Sequence, residues 1–258
     1  MLSFRNITGL SILLFFIALL GVLFAEGSYI WLILPCLFWL VMTAIGSFHI
    51  SWNYHLHATH RSANKNSRQV AITFDDGPDP TNTPKILDIL KNHRASASFF
   101  CIGKRMQEYP EILKRIQREG HTLGNHTYTH SVNMGFFGSQ RIFSELKRTN
   151  TVAQEILGKH LQWYRPAFGV TNPAIKKALE QTDLRAVGWS IRSYDTLPLS
   201  EAFLYKRITK RIQGGDIILL HDTGEKTVAV LERLLLFLQQ NGWEAVSVDT
   251  LLKEETND

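Results

Sequence analysis

The chain has 258 residues, 45% of them hydrophobic, and a formal net charge of +5. Its acidic and basic residues are interspersed without a basic stripe, which argues against a nucleic-acid partner. Only two cysteines occur, Cys36 and Cys101, so no disulfide framework holds the fold.

The apolar residues begin in two blocks. Ile7 to Ala25 and Tyr29 to Phe48 are uncharged runs separated by Glu26, Gly27 and Ser28. Each can cross a hydrocarbon core of roughly 30 Å as a helix rising ~1.5 Å per residue. The short gap between them predicts a transmembrane helical hairpin. Neither run has a polar face, as a helix of a soluble core would. A cleaved signal peptide is the rival reading, but a cut after Ala25 would put Leu23 where a small residue is required. Tyr29, Trp31, Trp52 and Tyr54 suit the headgroup region at the ends of the spans. The expected division is residues 1–54 for the hairpin, a polar linker over 55–68, and one globular domain over 69–258. Arg5 before the first span and Arg61, Lys65 and Arg68 after the second predict a multi-pass cell-membrane protein with both ends in the cytoplasm, the external face being the alternative.

Beyond the linker, short apolar runs alternate with helical patterns. Strands are predicted at Val70–Phe74, Ala97–Cys101, Thr122–Gly124, Leu161–Arg165, Ala186–Ser190, Ile217–His221 and Ala245–Val248. Between them Pro110 opens one helix, closed by Gly120. Ile142, Leu146, Ala153 and Ile156 line another, ended by Gly158. Asn172–Pro173 and Ser200 start two more, and Leu231, Leu235 and Leu238 face inward on a fifth. The alternation predicts an α/β fold with parallel strands, as a barrel or an open sheet.

Chemistry in such folds gathers beyond the carboxyl ends of the strands. The first strand runs into Asp75-Asp76-Gly77-Pro78, where two carboxylates can divide into a metal ligand and a general base, or form an ordinary turn. His126 and His130, four apart after the third strand, suit two imidazoles on one ion. With Asp76 they make a two-His, one-carboxylate set that leaves positions for water and substrate. Arg165 ends the fourth strand and can clamp a carboxylate. Asp195 follows the fifth strand and His221 ends the sixth.

From about Val70 onward the chain resembles carbohydrate esterase family 4, the polysaccharide deacetylases. Five segments carry the resemblance in order: Thr73-Phe74-Asp75-Asp76-Gly77, His126-Thr-x-x-His130, Arg165-Pro166 with Phe168-Gly169, Asp195, and Leu219-x-His221. The resemblance implies a distorted (β/α)7 barrel that removes N-acyl, chiefly N-acetyl, groups from an amino-sugar polymer, oligomer or lipid-linked sugar. It implies one divalent metal on Asp76, His126 and His130, Zn2+ with Co2+ or Mn2+ as alternatives. Asp75 would be the base, oriented by Arg165, and His221 the acid, kept protonated by Asp195. The backbone N–H of Phe168 would meet the oxyanion, and Leu219 would line the substrate side. Arg192, Thr196 and Ala167 depart from the usual family residues at positions that shape the groove. Rival readings are a deformylase or deacetylase of lipid-linked sugars and a sugar-binding module without turnover; the matched acid and base argue against the latter.

Overall fold

The computed structural model describes residues 2–25, 27–64 and 67–253. The two apolar runs form helices α1 (Phe4–Phe24) and α2 (Ile30–Phe48), both long and apolar enough to cross a membrane. They pack on one another, and the Trp39 indole N–H donates to Thr8 Oγ1 at 2.9 Å. Glu26, expected in the turn, lies outside the described residues.

The base of the hairpin is tied down. Phe4 N–H donates to the Tyr54 carbonyl, and Thr171 N–H donates to the Ser47 carbonyl, each at 2.9 Å. Tyr54, expected at headgroup level, is instead buried. Its hydroxyl lies 3.0 Å from Thr43 Oγ1, and its ring fills the space beside Gly46, where a Cβ would fall 2.4 Å from the ring. The stretch expected to be a linker is likewise no free tether. Thr59 bonds Ala186 and Gly188 through its backbone, Ser62 bonds Gly215, and Arg61 pairs with buried Asp216 at 2.6 Å. Paired backbone groups and a neutralised charge hold this polar segment along the domain. Lys65 lies outside the described residues.

The domain is built on parallel strands: β1 (Gln69–Asp75), β2 (Ser98–Cys101), β3 (Thr122–Asn125), β4 (Trp163–Tyr164), β5 (Arg185–Ala186), β6 (Ile191–Arg192), β7 (Ile217–His221) and β8 (Glu244–Val246). Their order is β5-β4-β3-β2-β1-β7-β6, with β8 also on β1. The segment predicted as a single fifth strand is two strands. β5 pairs with β4 at one edge and β6 with β7 at the other, and only residues 187–190 connect them. A link that short, at ~3.5 Å per residue, requires the two edges to curl toward each other. The sheet is therefore an α/β half-barrel, the distorted barrel expected, with its gap spanned by Val187–Ser190.

Helices cover the outside: α3 (Asn82–Asn92), α4 (Gly103–Glu108), α5 (Pro110–Arg118), α6 (Ser139–Leu157), α7 (Pro173–Leu179), α8 (Glu201–Thr209), α9 (Glu225–Gln240) and α10 (Val248–Lys253). The expected caps are present. Asn172 Oδ1 accepts from Ile175 N–H, Ser200 Oγ from Phe203 N–H, and Gly158 closes α6 with φ +71°. Helices α3, α4 and α10 escaped the sequence reading.

On β1 the alternation of side chains divides the core from the site. Val70, Ile72 and Phe74 join the cluster packed under the helices, whereas Ala71 belongs to a second cluster with Phe100, Trp163 and Ile217. By the two-residue period of a strand, Thr73 and Asp75 share the face of Ala71. The interior of the half-barrel thus changes from apolar to reactive along one strand.

Candidate active site

Asp75, Asp76, His126, His130, Phe168, Leu219 and His221 all line one cavity of about 250 Å³ at the carboxyl end of the sheet, together with Trp189 and Arg192. Arg165 and Asp195 stand behind it, each bonded to a residue of the wall. Sequence spacing joins only Asp75 to Asp76 and His126 to His130; parallel strands ending at one level bring the rest together.

Arg165 is wholly buried. Its Nη1 donates to Asp75 Oδ1 at 2.8 Å and to Thr73 Oγ1 at 2.7 Å, its Nη2 to the Gly188 carbonyl at 2.9 Å, and its Nε to the Val187 carbonyl at 3.3 Å. The guanidinium lies over the Phe100 ring, 4.1 Å from its centroid. It both closes the gap between β5 and β6 and fixes one oxygen of Asp75. The other, Oδ2, lies 3.9 Å from His126 Nε2.

Asp76, His126 and His130 offer three ligand atoms within 4.8 Å of one another. Asp76 Oδ1 is 3.4 Å from His126 Nε2 and 3.3 Å from His130 Nε2. His126 Nδ1 donates to the Arg165 carbonyl at 2.9 Å, which fixes the tautomer with Nε2 turned to the group. His130 Nε2 is buried and makes no hydrogen bond. Two imidazoles, one carboxylate and an unsatisfied ring nitrogen fit a divalent cation in an open catalytic geometry. Burial would raise the pKa of Asp76, but the hydrogen bond and charge of His126, with His130 and His221, hold it far below the usual carboxylate range.

His221 ends β7, in register with Asp75 on β1. Its Nδ1 lies 2.8 Å from Asp195 Oδ1, and its backbone N–H donates to Asp195 Oδ2 at 2.7 Å. Ser193 Oγ and Thr227 Oγ1 also donate to Asp195, at 2.8 and 2.7 Å. Burial lowers the pKa of His221, but the bond and charge of Asp195, helped by Asp75 and Asp76, raise it above the ordinary histidine value.

The backbone is strained around this cavity. Asp76, Thr127, His130, Phe168 and Tyr194 all have positive φ, between 49° and 74°, against only Asn53 and Arg94 elsewhere among the described non-glycine residues. Left-handed conformations of this kind cost ~1–3 kcal/mol each and persist where surrounding contacts over-determine them. Here the contacts are visible: Asn125 Oδ1 accepts from Thr127 N–H, and Glu145 accepts from the N–H groups of Tyr128 and Thr129. Behind the Asp76 turn, Asp222 lies so close to Gly77 that a Cβ would fall 2.1 Å from its Oδ2, which accepts from Thr83 Oγ1 at 2.5 Å.

Thr73, Asn125, Glu145, Ser193, Thr227 and Asp222 were missed as site residues. Asp222, next to His221, and Thr73, within the first motif, carried a signal in the sequence; Glu145 and Thr227 act through partners distant in the chain, and Asn125 and Ser193 each bond a residue two positions on.

A family model described as polysaccharide deacetylase matches residues 62–187. A peptidoglycan-N-acetylglucosamine deacetylase of Bacillus cereus is 35% identical over 196 residues, covering 73% of this chain and 90% of the relative. This chain belongs to the polysaccharide deacetylase family. The chitooligosaccharide deacetylase of Azorhizobium caulinodans is 33% identical over 159 residues, 61% of this chain and 75% of that one. The crystal structure of the Bc1960 peptidoglycan N-acetylglucosamine deacetylase superposes with a TM-score of 0.70 at 32% identity, over 76% of this chain and 92% of that chain. This polysaccharide deacetylase is accordingly a carbohydrate deacetylase, with a possible metal-binding Asp/His/His group in its cavity.

Proposed function

We propose that the enzyme hydrolyses the N-acyl, chiefly N-acetyl, amide of an amino sugar, using one divalent metal on Asp76, His126 and His130. The observation that carries this reading is a pair of held groups beside those three residues: a carboxylate held by an arginine, Asp75–Arg165, next to a histidine held by a carboxylate, His221–Asp195. When bound, the ion, Zn2+ first and Co2+ or Mn2+ as alternatives, acidifies water and polarises the amide carbonyl. Asp75 takes the proton of the attacking water through Oδ2, because Arg165 occupies Oδ1. His221 gives its proton to the departing nitrogen from Nε2, because Nδ1 is engaged by Asp195; an amide leaves as an amine only once protonated. The backbone N–H of Phe168 meets the charge developing on the carbonyl oxygen, and Leu219 lines the substrate side. The test is a product screen of the metal-supplemented full chain against chitin oligomers, peptidoglycan fragments and lipid-linked amino sugars. Acetate release from at least one supports the reading, and none from any of them overturns it.

The chain further divides into a membrane hairpin over 1–54 and a catalytic domain over 69–258. Positive charge at Arg5, Arg61 and Arg68 assigns both ends to the cytoplasm, which favours a lipid-linked or precursor sugar. Reporter fusions after Arg68 test this. Fluorescence of a cytoplasmic reporter supports it, whereas an active alkaline phosphatase fusion puts the domain outside and makes a wall polymer the substrate.

A further inference from the structure

The cavity holds one cation that the proposed mechanism leaves unused. Arg192 ends β6, in register with Leu219 on β7, and lines the cavity half-buried. Among the described residues no carboxylate pairs with it. The acids around it are engaged: Asp75 by Arg165, Asp195 by His221, Ser193 and Thr227, and Asp76 within the His126/His130 group.

Its position is nonetheless fixed. The guanidinium lies 5.6 Å from the centroid of Trp189 and 5.3 Å from that of Tyr194. Arg207 stacks on the same Tyr194 ring at 4.3 Å, and its Nε donates to the Arg192 carbonyl at 2.9 Å. Arg207 has no ion-pair partner among the described residues either. Two guanidiniums thus share one aromatic ring beside a cavity, with no acid to neutralise them. Stacking satisfies the faces of a guanidinium and leaves its N–H edge free, the edge that takes a carboxylate or phosphate by two hydrogen bonds. A neutral N-acetylated sugar offers such an edge only hydroxyl and amide oxygens, whereas an anionic group also neutralises the two like charges held together here.

We propose that the amino-sugar substrate carries an anionic substituent, a phosphate or a carboxylate, received by Arg192 at the wall of the catalytic cavity. The inference rests on the deacetylase reading above and specifies its substrate class. Arg192 is a specificity residue; it takes no part in proton transfer.

The test uses the zinc-loaded full chain in lipid nanodiscs with three substrates: the methyl glycoside of N,N′-diacetylchitobiose, the corresponding 1-phosphate, and the N-acetylglucosaminyl-N-acetylmuramic acid disaccharide with its lactyl carboxylate. The account predicts a KM at least tenfold lower for one anionic sugar than for the neutral glycoside, and the anion that shows it identifies the source. Arg192→Gln should raise that KM roughly ten- to hundredfold, the loss of one charge-assisted pair, with the loss falling on KM rather than kcat. Arg192→Lys should keep part of the preference, since a point charge survives without the two-pronged geometry. Equal KM for all three sugars in the wild type, or a preference unchanged in Arg192→Gln, overturns the proposal. Dissociation constants of the corresponding de-N-acetylated sugars, measured by calorimetry, read the same preference without turnover. If no sugar is hydrolysed but the anionic ligand still binds at least tenfold more tightly through Arg192, the deacetylase reading fails and the anion site at Arg192 alone stands.

Discussion

Asp75 and His221 are register partners on adjacent parallel strands, β1 and β7. Neighbouring strands lie ~4.8 Å apart, so the proposed base and acid stand side by side at one level of the sheet. What separates their roles is the group behind each: a guanidinium behind the carboxylate, a carboxylate behind the imidazole.

The first prediction follows from the imidazole. Its raised pKa keeps His221 protonated above the ordinary value, and the acid is lost as pH rises through the folded pKa. Turnover should therefore fall on the alkaline side. In Asp195→Asn burial would still disfavour the charged ring, but the main opposing partner would be gone. The falling limb should move to lower pH, with a loss of about 10²-fold or more on the amide and a smaller loss on an aryl acetate, whose leaving group needs no proton. A pH–kcat profile with an unmoved limb would show that Asp195 does not govern His221.

A second prediction concerns the buried pair. Arg165→Met leaves Asp75 as a lone buried charge and strips the Val187 and Gly188 carbonyls of their donor. Breaking such a pair costs about 3–5 kcal/mol. The double variant Asp75→Asn with Arg165→Met should be destabilised by less than the sum of the two single changes, because part of the single-variant cost is the stranded charge. Denaturant unfolding of the three variants measures this, and strict additivity would mean that the two groups are not coupled.

Metal binding supplies the third. His126→Ala or His130→Ala removes one of the three proposed ligands and should abolish both tight metal binding and turnover. Elemental analysis of purified variants decides it. Wild-type metal content in either one would remove that histidine from the ligand set.

His121, at the foot of β3, gives a stability test away from the cavity. Its Nδ1 accepts from Ala97 N–H at 3.2 Å, which requires a neutral ring, and burial pulls its pKa down from 6.5 to about 4. The unfolded chain binds the proton first, so stability present above pH 6.5 is lost as pH falls toward 4. At pH 5 the loss is about 2 kcal/mol. His121→Asn, whose side-chain oxygen can still accept from Ala97, should show a smaller drop in stability between pH 7 and pH 5. An equal drop would place the acid sensitivity elsewhere.

Much of this arrangement was legible because β1 and β7 are continuous apolar runs that end abruptly in Asp75-Asp76 and His221. A strand buried on both faces followed by charge marks both an element and its reactive end. The break between β5 and β6 was not legible. Ala186–Ser190 reads as one strand, and what interrupts it is Arg165, which takes the Val187 and Gly188 carbonyls from 22 and 23 residues away. Thr227 was invisible for the same reason: a buried hydroxyl in an early helical turn looks ordinary until its partner is located. Helix α3 is a different case. Thr83-Pro84 followed by Ile86, Leu87 and Leu90 carried a readable start and a buried face.

The central claim is that Asp75 and Asp76, adjacent in sequence, have separate duties, base and ligand. Acetate release and metal content, measured together on Asp75→Asn and Asp76→Asn in the full chain, test it most directly. The account predicts that Asp75→Asn keeps its metal and loses activity by about 10²-fold or more, while Asp76→Asn loses both. Equal loss of metal from the two variants, or an active Asp75→Asn, would contradict it.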